Sequence, residues 1–331
     1  MTKVMAPEPT PEGVRTAAER IKGSAAITPL LENEWLNERA GGRVLMKAET
    51  LQHGGSFKFR GAMNRLTKLG GEGRARGVLA WSSGNHAQGV ARAAKLYGVK
   101  SVIVMPQDAP ALKVAQVKAY GGEVVFFDRY TENREKIGAA IAEREGYAIV
   151  PSYDHVDIIE GQGTLALEAI AQAKHLGAEP DAFLICCGGG GMTAGCATIL
   201  EEIAPQIEIH ISEPAGFDET WASIKAGERI SADVTKKTLC DALATPLPGE
   251  ITFPILKRRV TAGYSVSDAE VSETMAWAFR YLKLVIEPGG AAALCALYHG
   301  KFDARGRTVV VTLSGGNVDP DLFASILAQF G

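Results

Sequence analysis

The sequence predicts an α/β protein of two open, mostly parallel sheets covered by helices, with the smaller domain inserted in the larger. Three observations predict it. Short apolar runs alternate with helical patterns, the signature of parallel strands joined by crossover helices. The alternation occurs twice, from Val78 to Val150 and again from Gly163 to the C-terminus. The strand Arg43 to Glu49 precedes both sets and has no sheet of its own, so it must join the later one. The expected boundaries are therefore 1–67 and 156–331 for the larger domain and 68–155 for the smaller.

The elements follow in order. Pro11 to Lys22 has helical spacing, and Arg43 to Glu49 is a short apolar strand that runs into the turn His53-Gly54-Gly55. Val78 to Trp81 is a strand. Asn85 to Tyr97 is a helix, because Val90, Ala93, Ala94 and Tyr97 share one face. Ser101 to Met105, Glu123 to Phe127 and Tyr147 to Val150 are strands, separated by helices at Ala109 to Tyr120 and Thr131 to Glu145. The second set has strands at Ala182 to Cys187, Ile207 to Ser212 and Thr308 to Leu313. Its helices are Gly163 to His175, Met192 to Ile203, Asp268 to Leu284, Gly290 to Tyr298 and Asp319 to Gln329.

Composition removes several classes of function. The chain has 331 residues, 46% of them hydrophobic, and a net charge of −3, which fits a globular protein with a large core. No window approaches the roughly eighteen apolar residues of a membrane span, and the first residues are polar and punctuated by proline, so a cytoplasmic protein is expected. Its five cysteines form no C-x-x-C pair and have no flanking histidines, which argues against a zinc site or a disulfide framework. Slight acidity without basic runs gives no support for nucleic-acid binding.

Four tracts carry chemistry. In Ser56-Phe57-Lys58-Phe59-Arg60-Gly61 a lysine lies between two phenylalanines. Apolar neighbours suggest a site shielded from water, where the lysine pKa falls and a neutral amine can attack an aldehyde. Gly188-Gly189-Gly190-Gly191 joins an apolar strand to a helix, so its N–H groups and the helix N-terminus together suit a phosphate. Ser82-Ser83-Gly84-Asn85-His86 opens a helix and suits a carboxylate, although ordinary capping by Ser83 or Asn85 would give the same pattern. Ser314-Gly315-Gly316-Asn317 follows a strand at the carboxyl edge, where open α/β sheets bind ligands.

The glycine loop alone also fits a nicotinamide dehydrogenase. Gly189-x-Gly191-x-x-Ala194 matches the dinucleotide fingerprint, and Glu213 lies about twenty residues on, where a ribose-binding acid belongs. That reading gives no role to Lys58 or to the two serine-asparagine tracts.

Together the tracts resemble the fold-type II family of pyridoxal-phosphate enzymes, in particular the threonine and serine dehydratases and serine racemase. The resemblance covers nearly the whole chain, and the tracts occur in the family's order. It implies that Lys58, next to Phe57, forms the Schiff base with pyridoxal 5′-phosphate. Gly188, Gly189, Gly190, Gly191 and Met192 would hold the phosphate. Ser82, Ser83, Gly84, Asn85 and His86 would hold the substrate carboxylate, with Asn85 also reaching the phenolic oxygen. Ser314 would meet the pyridine nitrogen beside Gly315, and Gly161 to Thr164 and Glu287 to Gly290 are further landmarks. The implied reaction is α-proton abstraction by Lys58 and loss of the β-hydroxyl, giving a 2-oxo acid and ammonia. Ser83 would face the other side of the substrate and keep racemisation open.

L-Threonine or L-serine is the first expectation for substrate, with 3-hydroxyaspartate or serine racemisation as alternatives. Arg134 is the cation a second carboxylate would need; it also reads as part of a helix-surface ion pair. Glu213, Phe217 and Glu219 match, with a longer acid at the last position, a divalent-cation set for magnesium or manganese. A solvated acidic turn is the other reading. A non-catalytic amino-acid sensor on the same fold is a further alternative. The resemblance also implies a homodimer.

Overall fold

The computed structural model describes residues 7–331. Among the described residues, ten strands form two sheets. They are β1 (Leu30–Glu32), β2 (Arg43–Ala48), β3 (Val78–Trp81), β4 (Ser101–Pro106), β5 (Glu123–Phe127), β6 (Ala148–Ile149), β7 (Ala182–Cys186), β8 (Glu208–Pro214), β9 (Val260–Val266) and β10 (Thr308–Leu313). The large sheet has the order β1-β2-β10-β7-β8-β9, and the small one β5-β4-β3-β6. All pairings are parallel except β1 with β2. The strand Arg43–Ala48 does join the later sheet, pairing with β10 from Arg43↔Thr308 to Ala48↔Leu313.

The strand order reverses between β7 and β10. The large sheet grows outward from β7 through β8 to β9, whereas β10 returns on the other side, beside β2. Such a switch point leaves a crevice outside the carboxyl ends of the two strands. The glycine loop follows β7, and Ser314 follows β10.

Each sheet has its own apolar cluster. Leu184, Ile185, Ile209, Ile211 and Val309 to Val311 fill the large one. Around the small sheet, Val78, Ala80, Ile103 and Met105 pack with Phe59, Ala62, Met63 and Leu66 of the helix Lys58–Lys68. The aromatic neighbours of Lys58 therefore divide. Phe59 is buried in the small cluster, and Phe57 packs against the large one.

The helix over residues 163–175 is longer than its sequence signals, running Val156–His175 from a His155 cap. Its glycines are contact points. A Cβ on Gly161 would lie 2.6 Å from the Gly61 Cα, and one on Gly163 would lie 2.6 Å from the Gly195 carbonyl oxygen. The helices bearing Lys58 and the glycine loop thus cross this one at the positions where it has no side chains. The helix expected over Thr131–Glu145 starts only at Arg134, where Asn133 caps it.

Candidate active site

A cavity of about 160 Å³ opens in the crevice at the strand ends. It brings together Phe57, Lys58, Ser82 to His86, Arg134, Gly188 to Met192 and Ser314. Glu287 and Gly315 stand behind the wall, while Glu213, Phe217 and Glu219 are not among the lining residues.

Lys58 is placed by stitching between two distant segments. Ser56 and Gly315 form an isolated antiparallel bridge, and the Phe57 N–H donates to the Ser314 carbonyl at 3.1 Å. Lys58 begins its helix there, and its Nζ donates to the Ser152 carbonyl at 2.8 Å. Burial lowers its pKa to about 8, against the opposing influence of Cys186 and Glu287. That is the direction its aromatic flanks predict.

Two helices aim uncapped N-termini at this cavity. Asn85–Tyr97 has Gly84 at its cap with no side-chain hydrogen bond, so the alternative of ordinary capping by Ser83 or Asn85 does not occur. Gly191–Ile203 has Gly190 at its cap with φ +89°, a conformation that favours glycine, and again no side-chain cap. Among the described residues, the N–H groups of Gly188, Gly189 and Gly190 donate to no carbonyl or side chain. The Thr193 hydroxyl, one turn on, is fully buried without a partner. Buried unpaired donors converging beside a helix N-terminus are the donor set of an anion site. Tyr153 fixes the loop's path, since a Cβ on Gly189 would lie 2.5 Å from its ring.

Behind the wall, three segments meet. The Asn85 amide donates to Glu287 Oε1, the Asn317 amide donates to Asn85 Oδ1 at 2.8 Å, and the Glu287 N–H donates to the Gly315 carbonyl at 3.0 Å. Burial, with Asp241 next, raises the Glu287 carboxyl to about 7. The Ser314 hydroxyl lies 3.1 Å from Cys186 Sγ, and burial keeps that thiol protonated by raising it to about 11. His86 cannot offer a ring N–H to a carboxylate. Its Nε2 donates to the Val150 carbonyl at 2.8 Å, and burial and Lys58 push its pKa to about 3. Only the backbone N–H of His86 is left for an anion.

Arg134 lies on the cavity wall and forms no ion pair among the described residues, so the surface pairing weighed for it is absent. A second cavity of about 90 Å³ adjoins the first, sharing Ser82, Ser83 and Arg134. Its other arginine, Arg129, is held by Asp108 at 2.7 Å.

The acidic set lies on the far side of the glycine loop. Glu213 is fully buried and accepts from the N–H groups of Thr220 at 3.0 Å and Trp221 at 2.8 Å. It caps the short helix Glu219–Ala226, a role its position near the end of β8 does not announce. Both carboxylate oxygens of Glu219 are buried without a partner. Burial raises Glu213 to about 8 and Glu219 to about 7. This is no solvated turn.

Sequence reasoning missed several lining residues. Ser152 and Tyr153 follow β6, and Asp241 to Pro246 form a strap across the opening, pinned where Lys113 Nζ reaches Asp241 at 2.6 Å. Neither stretch has periodicity or a glycine signature. Thr193 could have been found, because it follows the last glycine of the loop by two residues.

The profile of pyridoxal-phosphate dependent enzymes matches residues 21–315. The chain belongs to the fold-type II family of pyridoxal-phosphate dependent enzymes. Three relatives of this enzyme family differ in activity. A Pseudomonas L-threo-3-hydroxyaspartate ammonia-lyase is 43% identical over 94% of this chain and 96% of its own. Maize serine racemase superposes with a TM-score of 0.91 at 32% identity, covering 98% of both chains. A threonine deaminase from T.th. superposes with a TM-score of 0.88 at 42% identity, covering 94% of this chain and 99% of that one.

The family assignment displaces the nicotinamide alternative, and Glu213, enclosed and engaged by backbone, could not reach a ribose. The residues present fit pyridoxal phosphate: a desolvated lysine, a loop of unpaired N–H groups and a buried serine hydroxyl line one cavity.

Proposed function

We propose that the protein is an ammonia-lyase that converts 3-hydroxyaspartate to oxaloacetate and ammonia. The α C–H and β C–OH bonds break, and water returns at the α-carbon as ammonia leaves, so the sum of the products equals the substrate. Pyridoxal phosphate, when bound, supplies an electron sink for the charge left at the α-carbon.

The chain's own residues supply the rest. Lys58 takes the α-proton as general base; with a pKa near 8, about a tenth of it is free amine at pH 7. The N-terminus of the Asn85–Tyr97 helix, with Ser82, Ser83 and Gly84, holds the α-carboxylate. Gly188 to Met192 and Thr193 would hold the phosphate, and Ser314 would face the ring nitrogen; all of them line the cavity. Ser83 stays available for proton exchange on the other side.

The observation that supports this substrate is Arg134, an unpaired guanidinium on the wall beside Ser82 and Ser83. A second carboxylate is its natural partner. L-Serine or L-threonine is the second reading, favoured by the exposure of Arg134, because water and salt weaken such a pair. Magnesium or manganese at Glu213, Glu219 and the Phe217 carbonyl belongs to the same proposal, supported by the two unpartnered oxygens of Glu219. So do domain boundaries at 67/68 and 155/156, a cytoplasmic location and a homodimer. The exposed pair Trp35 and Tyr281, their rings tilted against each other at 5.3 Å, supports the dimer.

The test is release of 2-oxo acid from 3-hydroxyaspartate, L-serine and L-threonine by the holoenzyme and by Arg134→Ala. The variant should lose about 10- to 100-fold in kcat/KM on hydroxyaspartate and change less than about threefold on serine. Equal effects on both substrates would move the assignment to serine or threonine.

A further inference from the structure

The glycine loop has two unusual neighbours on the face turned away from its free N–H groups. The Thr252 hydroxyl donates to the Gly189 carbonyl at 2.8 Å, and the Thr220 hydroxyl donates to the Gly188 carbonyl at 3.1 Å. Both threonines are fully buried and neither lines the cavity. In a planar trans peptide the N–H points opposite to the C=O of the preceding residue. Holding the Gly188 carbonyl toward Thr220 turns the Gly189 N–H the other way, and holding the Gly189 carbonyl toward Thr252 does the same for Gly190. Glycines have many conformations to choose from, so a free loop would not keep this one.

Each threonine is itself held by a carboxylate. Asp154 accepts from the N–H groups of Glu250 at 2.7 Å, Ile251 at 2.9 Å and Thr252 at 3.3 Å, which fixes the start of the helix Thr252–Arg259. Glu213 accepts the Thr220 N–H at 3.0 Å. Asp154 lies two residues beyond Ser152, the acceptor of the Lys58 ammonium. One short segment thus supports both the amine and the loop.

We propose that Thr220 and Thr252 are positioning residues for the cofactor's phosphate: by holding two loop carbonyls outward they aim the next two N–H groups at it. The proposal rests on the reading that this loop is the phosphate seat. Preorganised donors bind an anion without first being ordered, so their loss should weaken the phosphate contact and little else.

The experiment compares pyridoxal phosphate with pyridoxal, which lacks the phosphate, in absorbance titrations of the full chain stripped of cofactor. Wild type should bind pyridoxal phosphate far more tightly. Thr220→Val and Thr252→Val should each cut that preference by about tenfold, with pyridoxal affinity held within about twofold, and Thr220→Ser and Thr252→Ser should restore it. The ³¹P resonance of each holoenzyme should shift in the valine variants and return in the serine ones. A wild type that binds both aldehydes equally would remove the phosphate seat and this proposal with it. Discrimination that survives both valine substitutions would overturn the positioning role alone. So would equal weakening of both ligands, which marks a merely structural threonine. If a valine variant does not fold, loss of preference in the matching serine variant counts against the proposal.

Discussion

The Lys58 ammonium and the Ser152 carbonyl meet at 2.8 Å, joining the first turn of the Lys58–Lys68 helix to the chain just after β6. A carbonyl accepts from an ammonium but gives nothing to a neutral amine's lone pair. Burial is the larger influence, and it places the Lys58 pKa near 8 rather than at the ordinary 10.5. The group's charge therefore changes within reach of ordinary assay conditions.

The rate at which pyridoxal phosphate attaches to the cofactor-free chain should follow the free amine. It should rise about tenfold between pH 7 and 9 and level off with a midpoint near 8. Borohydride treatment and peptide mass analysis locate the attachment at Lys58, and Lys58→Ala should show none. The same shift has a stability sign. Between pH 8 and 10.5 the unfolded chain keeps a proton that the folded chain has lost, so the cofactor-free fold should gain stability as pH rises through that window. A midpoint above 10 would show that the site is not desolvated.

Two residues beyond Lys58, Arg60 is enclosed by protein. It donates to Glu49 through Nε and Nη2 at 2.8 Å each, and to Glu168 through Nη1 and Nη2 at 2.7 Å each. Lys47, also fully buried, completes the group at 2.8 Å from Glu168. Arg60→Met leaves the fully buried Glu49 without its counter-charge, so urea unfolding should show a loss of about 3–5 kcal/mol. Arg60→Lys should recover only part, because an ammonium cannot fork to two carboxylates. A loss below about 1 kcal/mol would contradict the pairing.

The strap over the cavity is held across the two sheets by Lys113 and Asp241 at 2.6 Å. Asp241 is half exposed, so the pair contributes at most about 1 kcal/mol to global stability. Its effect should be local. Lys113→Met should leave the unfolding midpoint almost unchanged, speed proteolytic cleavage within 239–246, and raise KM more than it lowers kcat. Unchanged proteolysis would show that the strap is held by other contacts.

These outcomes also mark what the sequence could and could not reveal. The chemistry-bearing tracts were legible because glycine and serine runs at strand ends, and a lysine between two phenylalanines, have few other uses; Lys58, Gly188 to Met192 and Ser314 meet in one cavity. The glycines at 161 and 163 were misleading, because helix crossing and helix breaking ask for the same residue. Asp241 to Pro246 was invisible, since a strap anchored by one ion pair, one buried leucine and a backbone hydrogen bond leaves no periodic pattern. Glu213 was legible as an important acid but not as a helix cap, because both uses place a carboxylate at the carboxyl end of a strand. The edge strand β9 was lost because Gly263 interrupts its run, to make room for Trp221.

The last prediction concerns Glu219, whose two carboxylate oxygens are buried and unpartnered while Glu213 lies close enough to be raised by its charge. Two buried carboxyls without a cation are costly when ionised, so each holds its proton to an unusually high pH. A divalent ion that takes oxygen ligands would remove that cost in the folded state alone, and mass action then turns its affinity into stability. At a hundred times the dissociation constant the gain is about 2.7 kcal/mol. Millimolar magnesium or manganese should therefore raise the thermal midpoint of the holoenzyme, chelator should reverse the rise, and Glu219→Gln should abolish it. If neither ion moves the midpoint, Glu219 is a buried acid that is neutral below its raised pKa, and the Glu219→Gln variant should then be as stable as wild type at about pH 6 without any added metal.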